Sequence, residues 1–196
     1  MLASITPLGE RGRGSKWGLT LIAFTVGATI SAVAEGAVLG GLGGLVLPAG
    51  VGPRTRLVVL ASALLVALAL DLRPAGAPGP RRQVNERWLD EFRGWVYGLG
   101  FGAQLGAGIG TVVSSAATYA ALLAALLAAS PARGGLILGC FGAVRGLTLL
   151  AAAHVRRPDQ LVAFHSRLQN WHAPAARLTR TGIAALGALA IFGALT

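Results

Sequence analysis

Glu35 and Arg145 are the residues best placed for chemistry, because each is a lone charge inside a long apolar segment. They lie within residues 18–50 and 134–153, and about 20 apolar residues are enough to cross a bilayer. Charge at that depth is costly and usually functional. Glu35 could serve as a protonatable carboxylate or cation ligand, and Arg145 as an anion contact or as the group that tunes Glu35.

Three interpretations of these two charges remain open at this point. Glu35 and Arg145 are expected near the same depth, so they could meet as a buried pair and form a transport or ion site. Alternatively the pair is structural and pins two helices together, since removing one partner of a buried pair costs about 3–5 kcal/mol. In the third interpretation, Arg145 extends toward the headgroups and never meets Glu35.

A few uncharged polar residues could line the same region. Gln104 stands inside a glycine-rich apolar segment and is expected to form an interhelical hydrogen bond. Ser114 and Thr118 follow further along and form a polar band. Hydroxyls in membrane helices commonly bond to their own backbone, so this band is only a possible pathway lining.

Composition identifies the class of protein that must position these residues. Charged residues make up 12% of the chain and hydrophobic residues 54%, against about 25% charged in soluble domains. The net charge of +10 would suggest nucleic acid for a soluble chain. Here the arginines flank apolar segments, which predicts contact with anionic lipid headgroups and not with nucleic acid.

The sequence therefore predicts an all-α polytopic membrane protein, a single transmembrane domain over residues 1–196. Five spans are expected, at about 18–48, 57–72, 96–129, 134–153 and 181–196. With the N-terminus inside, 13 basic residues fall on the cytoplasmic side and 3 outside, as the positive-inside rule requires. This predicts a bacterial inner-membrane protein with a cytoplasmic N-terminus and an external C-terminus.

Small residues recur every four positions and predict a glycine-rich, tightly packed bundle. One row is Gly98, Gly102, Gly106 and Gly110, and a second includes Gly36 and Gly40. Residues four apart share a helix face, and such faces let helix backbones approach closely. The alternative is a groove for a quinone, an acyl chain or another flat or slender ligand. No cofactor is otherwise predicted.

A two-helix repeat is also possible. Trp17 and Trp95 are 78 residues apart, as are Pro53 and Pro131, and the two small-residue rows coincide at that offset. Each unit would contain two spans, so the copies would run parallel about an axis along the membrane normal.

Two further stretches, 83–95 and 159–172, are expected to lie in the cytoplasmic interface. Each places aromatic and aliphatic residues on one side and polar residues on the other, which is typical of interfacial helices. Docking of a soluble partner or a sister subunit is the alternative role for them.

The chain lacks the motifs of the common catalytic and metal sites. Cys140 is the only cysteine, which excludes an internal disulfide and a cysteine metal cage. His154, His165 and His172 have no carboxylate cluster nearby in the sequence, so no metal site is predicted. No serine-hydrolase, nucleotide-binding or zinc-protease motif is present, and no catalytic residue is assigned.

The glycine-rich segments "EGAVLGGLGGLVLPAG" and "GFGAQLGAGIGTVV" resemble the transmembrane family of cytochrome c biogenesis proteins, the CcdA/DsbD type. That resemblance implies a membrane scaffold of about six spans that shuttles electrons through two cysteines. Because this chain has only Cys140, thiol exchange within it is excluded, and a related scaffold with another cargo is what the resemblance implies.

These features favour a non-enzymatic transporter or exporter of a small solute or ion, with Glu35 and Arg145 at its centre. The alternative is a non-catalytic membrane subunit or assembly partner of a larger complex, docking through its glycine rows and arginine-rich loops. A homo-oligomer or a complex with other membrane subunits is expected in either case.

Overall fold

The computed structural model describes residues 5–48, 50–73, 76–79, 87–108 and 113–196. All regular structure in these ranges is helical, as the sequence predicts. The helices are α1 (Pro7–Gly12), α2 (Trp17–Val46), α3 (Pro53–Leu72), α4 (Trp88–Glu91), α5 (Gly94–Gly106), α6 (Ala117–Leu127), α7 (Pro131–Leu147), a 3-10 turn (Thr148–Ala152) and α8 (Pro158–Leu195).

The chain passes five times between two ends of a bundle. Helices α2, α5 and α8 begin at one end, called here the N-terminal end. The chain returns through α3 and through α7 with its 3-10 turn. At the opposite end, Arg56 of α3 donates to the Leu127 carbonyl at the end of α6 (3.4 Å), and Gly40 of α2 lies against Ser130. Each of the five predicted spans overlaps one of these passes with different boundaries, and the number of membrane crossings stays a prediction.

Helix α2 is the centre of the bundle and packs against α5, α6 and α7. Its buried face consists mainly of small residues: Thr20, Phe24, Gly27, Ala28, Ala32, Gly36, Gly40 and Gly43. Glycine is a poor helix former in water. In an apolar surrounding, however, the backbone must satisfy its own hydrogen bonds, which favours helix, and small residues then permit close contact.

The third pass is divided, where the sequence predicts one span over 96–129. Helix α5 ends at Gly106 and α6 begins at Ala117. At the start of this pass Gly98 lies against Thr20, an offset of 78 residues. At its end Leu126 lies against Gly43, an offset of 83. The offset between facing residues thus grows by five across the break, so the third pass contains about five residues there that have no counterpart on α2. The break lies in a glycine-rich stretch, where helix is least favoured.

The last pass is longer than the predicted span 181–196. Helix α8 runs without interruption for 38 residues, and it includes the stretch 159–172 that was expected to be a separate interfacial helix. Between these two stretches, residues 173–180 contain three alanines and no glycine, and Pro174 stands within the helix. Near its start, Phe164 is buried against Ala152 and Val155.

Large apolar side chains cover the outside of the bundle. Exposed examples include Ile22 and Ile30 on α2, Val66 on α3, and Leu189 and Phe192 on α8. A continuous apolar surface of this kind is typical of a membrane or protein interface. Within the described ranges, four helical segments are long and apolar enough to cross a bilayer: Trp17–Val46, Pro53–Leu72, Pro131–Ala152 and Pro158–Leu195. The chain is an integral membrane protein.

A cluster of aromatic and aliphatic side chains is buried at the N-terminal end of the bundle. Ile5, Phe24, Tyr97, Phe101 and Leu149 form a buried cluster. Trp88 of α4, in the predicted interfacial stretch 83–95, stacks on Phe101 with ring centroids 5.9 Å apart. Residues 83–86 of that stretch lie outside the described ranges.

Candidate functional site

Glu35 lies at the break in the third pass. Its Oε2 accepts a hydrogen bond from the backbone N–H of Gly108 at 2.8 Å, two residues after α5 ends. The methyl group of Thr118, near the start of α6, approaches the same side of Gly108. Glu35 therefore supplies an acceptor to backbone that the interrupted helix leaves unpaired.

Arg145 of α7 does not form a direct ion pair with Glu35. Its guanidinium stacks over the ring of Phe141, 5.4 Å from the ring centroid. Its Nη1 is buried and has no hydrogen-bond partner among the described residues. Direct contact is thus excluded in this structure, whereas coupling through water or a shared cavity stays a prediction.

A second carboxylate, that of Asp71, accepts hydrogen bonds on the other side of the break, where α6 begins. Asp71, at the end of α3, accepts from the Ser115 hydroxyl at 2.5 Å and from the Ala116 N–H at 2.8 Å. It thereby caps the start of α6, where free N–H groups and the helix dipole favour negative charge. From the sequence, Asp71 is interpreted as an interfacial residue, because it stands beside Arg73 at the end of a predicted span; its role at the start of α6 was missed.

The predicted polar lining divides into three environments. Thr118 is buried beside Gly108, close to Glu35. Ser114 is exposed and lines a cavity with Asp71 instead. Gln104 is half-buried on α5. Of the three, only Thr118 shares the surroundings of Glu35.

The glycine rows are filled by helix backbone. A Cβ on Gly98, Gly102 or Gly106 would collide with the carbonyl oxygens of Thr20, Phe24 and Ala28 on α2. Likewise, Gly36 and Gly40 lie against the Gly134 and Ser130 carbonyls at α7. These rows serve helix contact and leave no groove for a quinone or acyl chain at these positions. Gly110 lies outside the described residues.

The most extensive buried polar network lies at the N-terminal end and was missed by sequence reasoning. Glu10 of α1 is fully buried. Its Oε1 accepts from the Tyr97 hydroxyl and from Arg13 Nη2 (2.7 Å), and its Oε2 accepts from the Thr20 hydroxyl (2.7 Å). The network joins the N-terminal arm to α2 and α5.

One sequence signal could have indicated this network. Thr6 followed by Pro7 is a helix-start pattern, and Thr6 does cap α1 by accepting from the Gly9 N–H at 3.1 Å. Glu10 is the only acid before Glu35. Nothing in the local sequence, however, identifies Tyr97 as its partner 87 residues away.

Arg13 carries the positive charge of this network. Burial desolvates its guanidinium, which lowers the pKa, but hydrogen bonds to Glu10 and Tyr97 outweigh that effect and raise the pKa of Arg13 above its ordinary value. Arg13 therefore remains charged, and it compensates the buried carboxylate.

Comparison with known proteins adds no assignment to this geometry. No family model, curated protein or solved structure matches the chain.

Proposed function

We propose that this chain is a transporter or exporter of an ion or small solute, and that its pathway passes the break in the third pass beside Glu35 and Arg145. The observation that supports it most is the Glu35 carboxylate bound to the Gly108 N–H within an interrupted apolar pass. Secondary transporters commonly place their sites where membrane helices are discontinuous.

The chemistry of the break favours this role. Irregular backbone in a membrane is tolerated where it is buried in protein or lines a water-filled cavity. Protonation of Glu35 would remove its negative charge and weaken its hold on the Gly108 N–H. Glu35 would thus couple proton or cation binding to the geometry of the break. Arg145, with its buried Nη1 unpaired among the described residues, would supply the compensating charge.

The proposed orientation places the N-terminus and both large basic loops in the cytoplasm of a bacterial inner membrane, with the C-terminus outside. Basic residues of the described ranges support it. Arg11, Arg13, Lys16, Arg73, Arg156 and Arg157 are at the N-terminal end, whereas Arg54, Arg56 and Arg133 are at the opposite end. The resemblance to the CcdA/DsbD-type family is compatible with this role as a scaffold with another cargo, not as a thiol shuttle.

Proton flux into liposomes tests the proposal. The full chain is reconstituted into vesicles loaded with pyranine, and a potassium gradient with valinomycin drives protons inward. Vesicles with the protein should acidify faster than empty vesicles, and Glu35→Gln should abolish the difference. Glu91→Gln is the matched control, because Glu91 is an exposed acid on α4. Equal flux for Glu35→Gln and the unchanged chain, or no flux above empty vesicles, would contradict the proposal.

A membrane subunit is the second candidate function, favoured by a groove between α2 and α7. This groove encloses about 670 Å³ and is lined mainly by small and apolar residues, among them Val33, Gly135 and Gly139. A partner's transmembrane helix fits such a surface. Isolation in a mild detergent followed by mass spectrometry separates the two functions: a stoichiometric membrane protein partner supports the subunit, and a lone oligomer supports the transporter.

A further inference from the structure

We infer that the cavity where α3 ends against α8 binds the phosphate of an anionic lipid headgroup. The cavity encloses about 380 Å³, within the range of about 300–1,000 Å³ that is usual for ligand sites. Its lining combines Arg73, Arg180, His172, Ser114 and Thr179 with the Asp71 cap. This site is separate from Glu35 and does not depend on the transport proposal.

Arg180 is fixed in place with hydrogen-bonding capacity to spare. Its Nη2 donates to the backbone carbonyl of Asp71 at 2.7 Å, which holds the guanidinium across the gap between α8 and α3. Its Nε is buried and has no hydrogen-bond partner among the described residues. The Arg180 side chain also lines the cavity, so its guanidinium contributes a fixed positive charge to any anion bound there.

The cavity lining contains one acid, Asp71, against two arginines, Arg73 and Arg180, so the carboxylate offsets only one of the two positive charges. Both oxygens of Asp71 are engaged, one by the Ser115 hydroxyl and one by the Ala116 N–H. Arg180 contacts the backbone oxygen of Asp71 and not its carboxylate. Arg73 is exposed at the end of α3 and forms no ion pair with any residue in the described part of the chain. The two guanidiniums therefore leave a net positive site.

Phosphate is the anion that this donor set fits. Guanidinium groups bind phosphate oxygens through two parallel N–H donors, and Arg73 can do so freely. The exposed hydroxyl of Ser114 and the exposed ring of His172 can add single hydrogen bonds.

Apolar surface beside the cavity identifies the phosphate as part of a lipid. Leu72 and Leu178, which neighbour Arg73 and Arg180, are 61% and 76% exposed. Beyond Arg180, α8 contains no further charged residue up to Thr196. The cavity thus lies where the basic part of α8 meets its apolar part, which is the depth of the headgroups. Acyl chains would lie along the exposed apolar faces of α3 and α8.

Native mass spectrometry tests this inference. The full chain in an uncharged detergent is titrated with phosphatidylglycerol, and separately with phosphatidylcholine, and lipid adducts are counted. Arg73→Gln should weaken phosphatidylglycerol binding about tenfold, the effect of losing one charge-assisted contact. Arg177→Gln is the matched control, because Arg177 is an exposed arginine of α8 that does not line the cavity.

The outcomes are distinguishable. Preference for phosphatidylglycerol that Arg73→Gln removes and Arg177→Gln retains supports the inference. Equal binding of the two lipids, or equal losses in the two variants, overturns it. Inorganic phosphate that raises the unfolding temperature in an Arg73-dependent way, without any lipid preference, would assign the site to free phosphate. Arg180→Gln would also remove the hydrogen bond between α8 and α3 and could prevent folding. Arg73→Gln is therefore the variant on which the test depends.

Discussion

Gly102 of α5 lies against the backbone carbonyl of Phe24 of α2, the residue 78 positions earlier in the chain. Gly98 meets Thr20 and Gly106 meets Ala28 in the same way, so each contact joins residues at the same offset. The two helices are therefore parallel and in register along their small-residue faces. Pro53 and Pro131, also 78 residues apart, each begin the helix that follows in its unit. These contacts support two units related by an axis along the bundle.

The register predicts a steep cost for a side chain at Gly106. A Cβ there would collide with the Ala28 carbonyl oxygen and the Ser31 hydroxyl. Gly106→Leu should lower the free energy of unfolding by about 3 kcal/mol or abolish folded yield, because overpacking forces the helices apart. Fluorescence-detected size exclusion after heating measures the loss.

Gly182→Leu is the matched control for that experiment. Gly182 is a glycine within α8 whose Cβ position is open space, so leucine there should be tolerated. Equal stability of the two variants would mean that α5 does not lie on α2 as described here.

Close helix contact along each glycine row was predictable, whereas the break in the third pass was not. Four-residue spacing places Gly98, Gly102 and Gly106 on one face whatever that face meets. The break depends on long-range acceptors: Glu35 for the Gly108 N–H, and Asp71 for the Ala116 N–H. Residues 96–129 contain no local pattern that indicates where a carboxylate of another helix lies, so the position of the break could not be predicted from them.

The candidate site was predictable to the same extent: the sequence identifies the carboxylate but not its hydrogen-bond partner. Glu35 was identifiable because a lone carboxylate in an apolar segment is unusual. One of the open interpretations paired it directly with Arg145, since opposite charges attract, but the structure gives the carboxylate a backbone N–H at 2.8 Å instead. Arg145 stacks on Phe141, four residues earlier on its own helix.

The Glu10 network predicts a measurable stabilisation by Tyr97. Its hydroxyl donates to a fully buried carboxylate, and hydrogen bonds to charged groups contribute about 1.5–3 kcal/mol. Tyr97→Phe should destabilise the chain by that amount in denaturant unfolding. Tyr119→Phe is the control, because the Tyr119 hydroxyl donates to a neutral carbonyl, that of Pro78, at an exposed position (2.6 Å). A loss for Tyr119→Phe as large as that for Tyr97→Phe would refute the special role of Glu10.

Topology reporters test the proposed orientation. Fusions after residues 80 and 165 should fluoresce as cytoplasmic fusions of green fluorescent protein, and a fusion after residue 132 should be active as an external alkaline phosphatase. The expectation rests on 13 basic residues on one side against 3 on the other. Cytoplasmic signal at 132 or external signal at 80 is incompatible with five passes in this orientation.

The last prediction concerns the coupling between Glu35 and Arg145, which share the centre of the bundle without direct contact. Charge in an apolar span costs about 2.5–3.5 kcal/mol even on insertion scales, and Glu35 and Arg145 carry opposite charges on the neighbouring helices α2 and α7. Removing one charge should therefore destabilise the chain more than removing both. A double-mutant cycle with Glu35→Gln and Arg145→Met should give a coupling free energy of about 0.5–3 kcal/mol, read from unfolding in detergent. Proton flux measured on the same four proteins separates function from stability: the double variant should regain stability and remain inactive, because the titratable carboxylate is gone. Strictly additive stability effects would show that the two charges act independently.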